Sequence, residues 1–332
     1  MPTYDIFIDE NGLTTLELEL KKIYSSERIF VVVDQFVNEL YRQTLSNALS
    51  SYKLTFITMP AGEESKSMSV YIDVVKKLIN EGIKRNHLII ALGGGVVGDL
   101  GGFIASTLYR GIPYIQIPTT LLAMVDSSIG SKVGIDLEEG KNLIGSFYDP
   151  KMVYINYQFL SSLSKREYAN GLAEMIKSGL IGDKHLYHYL LENDRVTTKE
   201  IQMALQVKRE VVLTDPFDYK ERMFLNFGHT FGHAIEKKHH YLAFKHGEAI
   251  SYGMLMALEV GIKHHESHQE LYDEVKDLLL RRGLVTEPLL KREDYLDMVK
   301  NDKKMKDDII SFIVVPKVGS AKIISLKESD LI

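Results

Sequence analysis

A chain of 332 residues with 45% apolar and 26% charged side chains is long enough to bury a sizeable core and too apolar to be disordered. Its net charge of -5 excludes a generally basic surface of the kind that holds nucleic acid, but not a local cationic pocket for a small anion. With no cysteine, disulfides and thiolate ligands are excluded, so a bound metal must rest on imidazole, carboxylate or water oxygen. The opening MPTYDIFIDENG lacks the basic and apolar segments of a secretion signal, and the longest weakly charged run, residues 88–108, is broken by glycines and Asp99. A cytoplasmic protein without a membrane or nucleic-acid partner is expected.

Residues 29–33, IFVVV, read as a buried strand that ends on Asp34. A helix over 38–50 and a strand over 54–59, closed by Pro60, follow. Val70, Val74, Val75, Leu78 and Ile79 then recur at helical spacing until Gly82. A strand over 88–92 runs directly into GGGVVGDLGGF, and further strands are expected at 114–117, between Pro113 and Pro118, and at 153–156. Strands alternating with helices argue for a parallel sheet with helices on both faces. After residue 165 helical periods take over, at 167–180, 186–192, 199–212, the histidine-rich stretch, 248–265 and 272–282. Strands return at 309–315 and 322–326, around a Lys317-Val318-Gly319-Ser320 turn that predicts a hairpin. The change of period divides the chain into domains 1–165 and 166–332, closely packed with a cleft between them.

Four stretches carry chemistry. Gly93 to Asp99 fits GxGxxG after a strand and before a helix, so bare backbone N–H groups could meet a pyrophosphate; the alternative is a tight glycine crossing. No acidic residue lies about twenty positions on, the next being Asp126, so Asp34 is the candidate for a ribose carboxylate. In residues 108–142, Arg110, Lys132 and Lys141 lie among small residues, with Thr119 and Thr120 directly after a strand. Loops at the carboxyl ends of strands bind ligands, and such cations suit an anionic substrate, although any one of them alone reads as a surface charge. Glu174 and Lys177 share a helix face whose neighbours are small or apolar, where a carboxylate is costly unless paired or metal-bound. Finally, residues 222–248, RMFLNFGHTFGHAIEKKHHYLAFKHGE, hold five of the eleven histidines. His229 and His233 stand four apart, and an HxxxH pair serves equally as a metal or acid-base site or as two surface imidazoles. Glu174 with His229 and His246 would give two imidazoles and one carboxylate with a coordination position left open. His264 with His268, His185 with His188, and the loop pair His239 and His240 read as solvated.

Through ALGGGVVGDLGGFIAS, RGIPYIQIPTTLLAMVDSSIGSKVG, GKNLIGSFYDP, GLAEMIKSG and LNFGHTFGHAIE followed by HGEAIS, over nearly its whole length, the sequence resembles the 3-dehydroquinate synthase family. These are sugar phosphate cyclases of the glycerol-dehydrogenase-like fold. The resemblance implies a Rossmann-like α/β domain, then a mainly α-helical domain, with the active site in the interdomain cleft. It implies an NAD-dependent, redox-neutral lyase of the shikimate pathway, which makes aromatic amino acids. The substrate, a small anionic sugar-acid phosphate, is 3-deoxy-D-arabino-heptulosonate 7-phosphate. Transient oxidation, phosphate elimination, re-reduction and intramolecular aldol closure give 3-dehydroquinate and inorganic phosphate.

By the same resemblance Glu174, His229 and His246 bind a divalent metal, zinc or cobalt. His233, Lys132, Asn226, Lys177 and Asp126 match catalytic positions, His233 as an acid-base or outer-sphere group. Substrate would be held by Arg110, Lys132, Asn142, Lys177, Lys208, Arg222, Asn226 and His233, with Arg110 on the phosphate and a lysine of Lys303-Lys304 closing the site. NAD would be held by Asp34, Glu63, Lys66, Gly95, Val96, Val97, Gly98, Asp99, Thr119, Thr120, Lys132 and Lys141, and by Phe159, Leu160, Ser161 and Ser162. A homodimer is implied. The chain departs from the family's SSIGGKTGVN at Ser131, Val133 and Ile135-Asp136, and has Lys220 where a glycine usually precedes the arginine. Another sugar phosphate cyclase, a metal-dependent polyol dehydrogenase and a catalytically silent binding protein are the competing readings.

Overall fold

The computed structural model describes residues 4–215, 221–300 and 309–331. Two compact units, Met1–Leu163 and Ser164–Ile332, make up the chain. The first contains β1 (Asp5–Asp9), α1 (Leu16–Ile23), β2 (Arg28–Asp34), α2 (Gln35–Ala48), β3 (Lys53–Met59), α3 (Met68–Asn80), β4 (Leu88–Gly93), α4 (Gly95–Thr107), β5 (Tyr114–Pro118), β6 (Lys132–Leu137), β7 (Gly140–Phe147) and β8 (Met152–Asn156). Six of these strands form a parallel sheet in the order β1-β8-β5-β4-β2-β3. The continuous apolar runs of β2 and β4 are buried because helices cover both faces. β1 escapes the sequence pattern: its five residues DIFID are short and acid-flanked, and pairing with β8 makes them a strand.

From β2 the chain moves outward to β3, then crosses back to β4 on the other side of β2 and continues to β5. The carboxyl ends of β2 and β4 therefore flank a reversal of strand order, where open α/β sheets take their ligands. Val33 pairs with Leu92, so Asp34 ends its strand level with Gly93.

Residues 108–142 do not form one loop at that end of the sheet. Helix α4 starts at the carboxyl end of β4 and, as a crossover helix, returns the chain to the amino ends. Arg110 thus lies in a turn before β5, at the opposite end from Thr119 and Thr120. Residues 132–147 form the antiparallel β6–β7 hairpin, which the sequence pattern hid because glycines interrupt its alternation. Gly134 and Gly145 pair so closely that a Cβ on Gly145 would lie 2.4 Å from the Val133 carbonyl oxygen. The hairpin's Val133 and Ile135 join the core formed by α4 and the sheet.

The second unit contains α5 (Lys165–Ile181), α6 (Lys184–Glu192), α7 (Thr198–Thr214), α8 (His229–Lys238), α9 (His246–Lys263), α10 (Gln269–Arg281), α11 (Leu296–Lys300), β9 (Ile309–Lys317) and β10 (Ser320–Lys327). Ser164 caps α5 from the Glu167 N–H, and every residue of α5 from Ala169 to Ile181 is buried, which makes it the axis of the unit. β9 and β10 pair as an antiparallel hairpin, with Gly319 at φ 79° in the turn. Among the described residues no helix is long and apolar enough to cross a membrane.

Candidate active site

Glu174 comes from the buried middle of α5, and His229 and His246 are the first residues of α8 and α9. One donor atom from each lies within 4.8 Å of the others. Glu174 Oε1 is 3.8 Å from His229 Nε2 and 3.5 Å from His246 Nε2. That carboxylate oxygen is buried without a hydrogen-bond partner, a costly condition that a cation would relieve. The other ring nitrogens are already engaged. His229 Nδ1 donates to the Phe227 carbonyl (3.2 Å), and His246 Nδ1 lies 3.4 Å from Glu236 Oε1. Since a carbonyl oxygen can only accept, the Nδ1 proton is fixed on His229 and its Nε2 lone pair turns toward Glu174.

The electrostatics agree with a cation site. Burial would push the Glu174 carboxyl up, but Lys177, which bonds Oε2, and His246 hold it down at about 2. Burial and the Lys177 charge push His229 well below an ordinary imidazole. Burial opposes charge on His246 too, yet Glu174 and Glu236 raise it to about 10. His233 is exposed, and its ring centre lies 5.2 Å from that of His229; it falls outside the three-donor set. Glu236 follows His229 and His233 at seven and three positions, so the sequence already put it on their helix face. Its orienting role was not read there. We expect Glu236→Ala to weaken zinc affinity by about 10- to 100-fold in a chelator competition while leaving the three ligands in place.

Backbone approach fixes how the ligands meet. The Gly247 N–H donates to Asn170 Oδ1 (2.6 Å), and a Cβ on Gly247 would lie 2.3 Å from the Asn170 carbonyl oxygen, which locks the start of α9 onto α5. α8 and α9 touch in the same way. A Cβ on Gly253 would lie 2.0 Å from the Gly228 carbonyl oxygen, directly before His229. Arg166 bonds Glu248 through Nε (2.6 Å) and one terminal nitrogen (2.7 Å), a forked pair that ties the same two helix starts.

In the first unit Gly94 precedes α4 without a side-chain cap, which leaves the first N–H groups of that helix facing the reversal point. Thr119 donates its N–H to the Gly93 carbonyl (2.9 Å), while Thr120 lies against Gly94 and caps the Ala123 N–H (3.1 Å). The glycines also serve as a tight crossing: a Cβ on Gly98 would lie 2.8 Å from Gln116 Oε1, and one on Gly101 2.9 Å from Ala91 Cβ. The tight-crossing reading thus holds at Gly98 and Gly101, and the helix start at Gly94 and Gly95 is where the pyrophosphate reading applies. Asp34 caps α2 from the Val37 N–H (3.0 Å). The Phe159–Ser162 segment packs on α2, with Tyr41 donating to Ser162 Oγ (2.6 Å).

Lys66, buried, donates to Asp99 (2.8 Å) and to Asn142 Oδ1 (2.5 Å), and Lys141 lies 3.4 Å from Glu63. Burial pulls the Lys66 ammonium down, but Asp99, Glu63 and Asp136 outweigh it and leave it raised. Burial lifts the Asp99 carboxyl from 3.8 to about 6, against the pull of Lys66. Between those values the folded state binds more proton than the unfolded one, so this group makes stability fall as pH rises through that window. Asp99→Asn is expected to flatten that slope in urea unfolding measured from pH 4 to pH 6, and an unchanged slope would refute it.

A family model described as 3-dehydroquinate synthase N-terminal matches residues 56–170, and one described as 3-dehydroquinate synthase C-terminal matches residues 171–305. A 3-dehydroquinate synthase of Dictyoglomus turgidum is 42% identical, over 99% of this chain and 94% of its own length. That of Thermoanaerobacter pseudethanolicus is 38% identical, over 99% and 96%. The chain belongs to the 3-dehydroquinate synthase family. Among solved structures, the 2-epi-5-epi-valiolone synthase ValA of Streptomyces hygroscopicus, with NAD+ and Zn2+ bound, superposes with a TM-score of 0.89 at 25% identity, covering 99% of this chain and 94% of that one. A 2-deoxy-scyllo-inosose synthase complexed with carbaglucose-6-phosphate, NAD+ and Co2+ shares the fold at 0.85 and 24%, covering 98% and 94%.

The remaining family positions are distributed over both units. Asp126 lies in a π-helical turn, Ala123–Ser127, and Lys132 opens β6. Lys177, Lys208 and Arg222 are buried on α5, on α7 and in the 3-10 turn Glu221–Asn226 that ends at Asn226. The Arg222 N–H donates to Asp215 (3.2 Å), a buried carboxylate that the sequence did not single out. Lys303, Lys304 and Lys220 lie outside the described residues. The departure at Ser131 falls where the family's glycine would be at ease: its φ is 63°, and its hydroxyl bonds Asp149.

Proposed function

We propose that the protein is a 3-dehydroquinate synthase, converting 3-deoxy-D-arabino-heptulosonate 7-phosphate to 3-dehydroquinate and inorganic phosphate with NAD and a divalent metal, zinc or cobalt. The observation that carries the substrate choice is the burial of Lys177, Lys208 and Arg222, none more than 7% exposed, on mutually packed elements of the unit that holds the three-donor set. Positive charges gathered on these elements suit a polyanionic ligand, and a sugar acid supplies, beside its phosphate, a carboxylate that heptulose and hexose phosphates without an acid group lack.

When bound, NAD supplies a hydride acceptor and the metal a Lewis acid at the oxygen being oxidised. Glu174, His229 and His246 would hold the metal, oriented by Lys177, the Phe227 carbonyl and Glu236. His233, exposed one turn beyond His229, is suited to exchange a proton with a substrate hydroxyl, and Asn226 to donate its amide to one. Lys208 and Arg222 would answer the carboxylate, and Lys132 and Asn142 the phosphate, whereas Arg110, before β5 at the other end of the sheet, is not given that role. In the first unit the open N–H groups at Gly94 and Gly95 suit the pyrophosphate of NAD, and Asp34 its ribose. Purified protein with NAD and zinc should release phosphate from the heptulosonate and stop when chelator is added. No NADH should accumulate, unlike in a polyol dehydrogenase. Turnover of only a carboxylate-free sugar phosphate would sink the assignment.

A further inference from the structure

Pairing within the β6–β7 hairpin slips out of register between Ile135 and Leu137, where Asp136 alone stands opposite Lys141, Asn142 and Leu143 of the other strand. Its Oδ1 accepts the Asn142 N–H at 2.7 Å. Its own N–H donates to the Lys66 carbonyl, also at 2.7 Å, and Oδ1 stands 3.8 Å from Lys66 Nζ. Asn142 has a left-handed backbone, φ 55°, which a non-glycine residue keeps only when its surroundings hold it there. In that conformation its side-chain oxygen accepts from Lys66 Nζ at 2.5 Å, and Lys66 reaches Asp99 on α4. One carboxylate thus joins the strand that carries Lys141 and Asn142 to the loop that carries Glu63 and Lys66.

We propose that Asp136 is a positioning residue, whose bond to the Asn142 N–H fixes the strained backbone there and so presents Asn142 to substrate and Lys66 to the nucleotide. The proposal rests on the reading above that assigns Asn142 to the substrate and Lys66 to NAD. The family usually has asparagine here, whose amide oxygen can accept the same N–H. The bond is therefore the essential feature, and the extra charge of this chain is not.

The test compares Asp136→Ala, Asp136→Asn and Asp136→Glu by steady-state kinetics with the heptulosonate phosphate, calorimetric NAD affinity and melting temperature. Loss of a charge-assisted bond predicts that Asp136→Ala raises KM and the NAD Kd about tenfold with kcat changed less than about threefold. Asp136→Asn should restore both to within about twofold, while Asp136→Glu, which keeps the charge but moves the acceptor by a methylene, should raise KM about fivefold. Should the alanine variant not fold, the asparagine and glutamate pair decides alone. Asparagine no better than alanine, or glutamate equal to wild type, overturns the proposal. Asn142→Ala separates the two levels: unchanged KM there removes Asn142 from the substrate site, and the proposal with it, while phosphate release still stands for the reaction. Raised KM in Asn142→Ala beside unchanged KM in Asp136→Ala removes the positioning role alone.

Discussion

His229→Ala is expected to lower zinc affinity by more than about a hundredfold and to bring phosphate release to background, because one of the three donors that would hold the metal disappears. The loss goes beyond one bond. Glu174 Oε1 has no hydrogen-bond partner among the described residues, so the variant leaves it with His246 alone as a close imidazole, beside the Lys177 pair. His233→Ala should behave differently: its ring is exposed and outside the three-donor set, so metal content should stay near wild type while turnover falls by about 100- to 10,000-fold, the range of a lost acid-base group. Metal content by atomic emission beside phosphate release measures both. Equal metal loss in the two variants would show that the histidine pair acts as a clip and that Glu174 is misassigned.

Gly253→Ala, which touches no ligand, should also cost the metal. The new methyl would lie 2.0 Å from the Gly228 carbonyl oxygen and 2.7 Å from the Gly232 nitrogen, both backbone atoms that no rotamer change can move aside. α8 must therefore shift from α9, which separates His229 from His246. Overpacking of this kind costs about 1–3 kcal/mol, so the melting temperature should drop by several degrees and zinc affinity should fall with it. A variant with wild-type melting temperature and full zinc occupancy would mean that this contact does not set the helix spacing.

The strands of the first unit were legible because burial on both faces leaves a continuous apolar signature. β2, β4, β5 and β8 read as such within one or two residues. The glycine motif at the end of β4 was legible for the same local reason, a strand running into a helix start. β1 and the β6–β7 hairpin were not, since short or glycine-broken strands owe their pairing to partners far along the chain.

At the candidate metal site, too, the sequence determined the ingredients: clustered histidines, a carboxylate on an apolar helix and no thiol. Spacing offered His229 with His233, because helical neighbours are all that local sequence can pair. The family resemblance had already named Glu174 and His246 as His229's companions, and the tertiary structure brings the donor atoms of that choice together. That convergence depends on three helices meeting through Gly247, Gly228 and Gly253, and on Phe227 and Glu236 turning the imidazoles inward. Backbone approach across distant segments leaves no periodic trace. The sequence therefore names the donor atoms, and the packing of glycines decides where they converge.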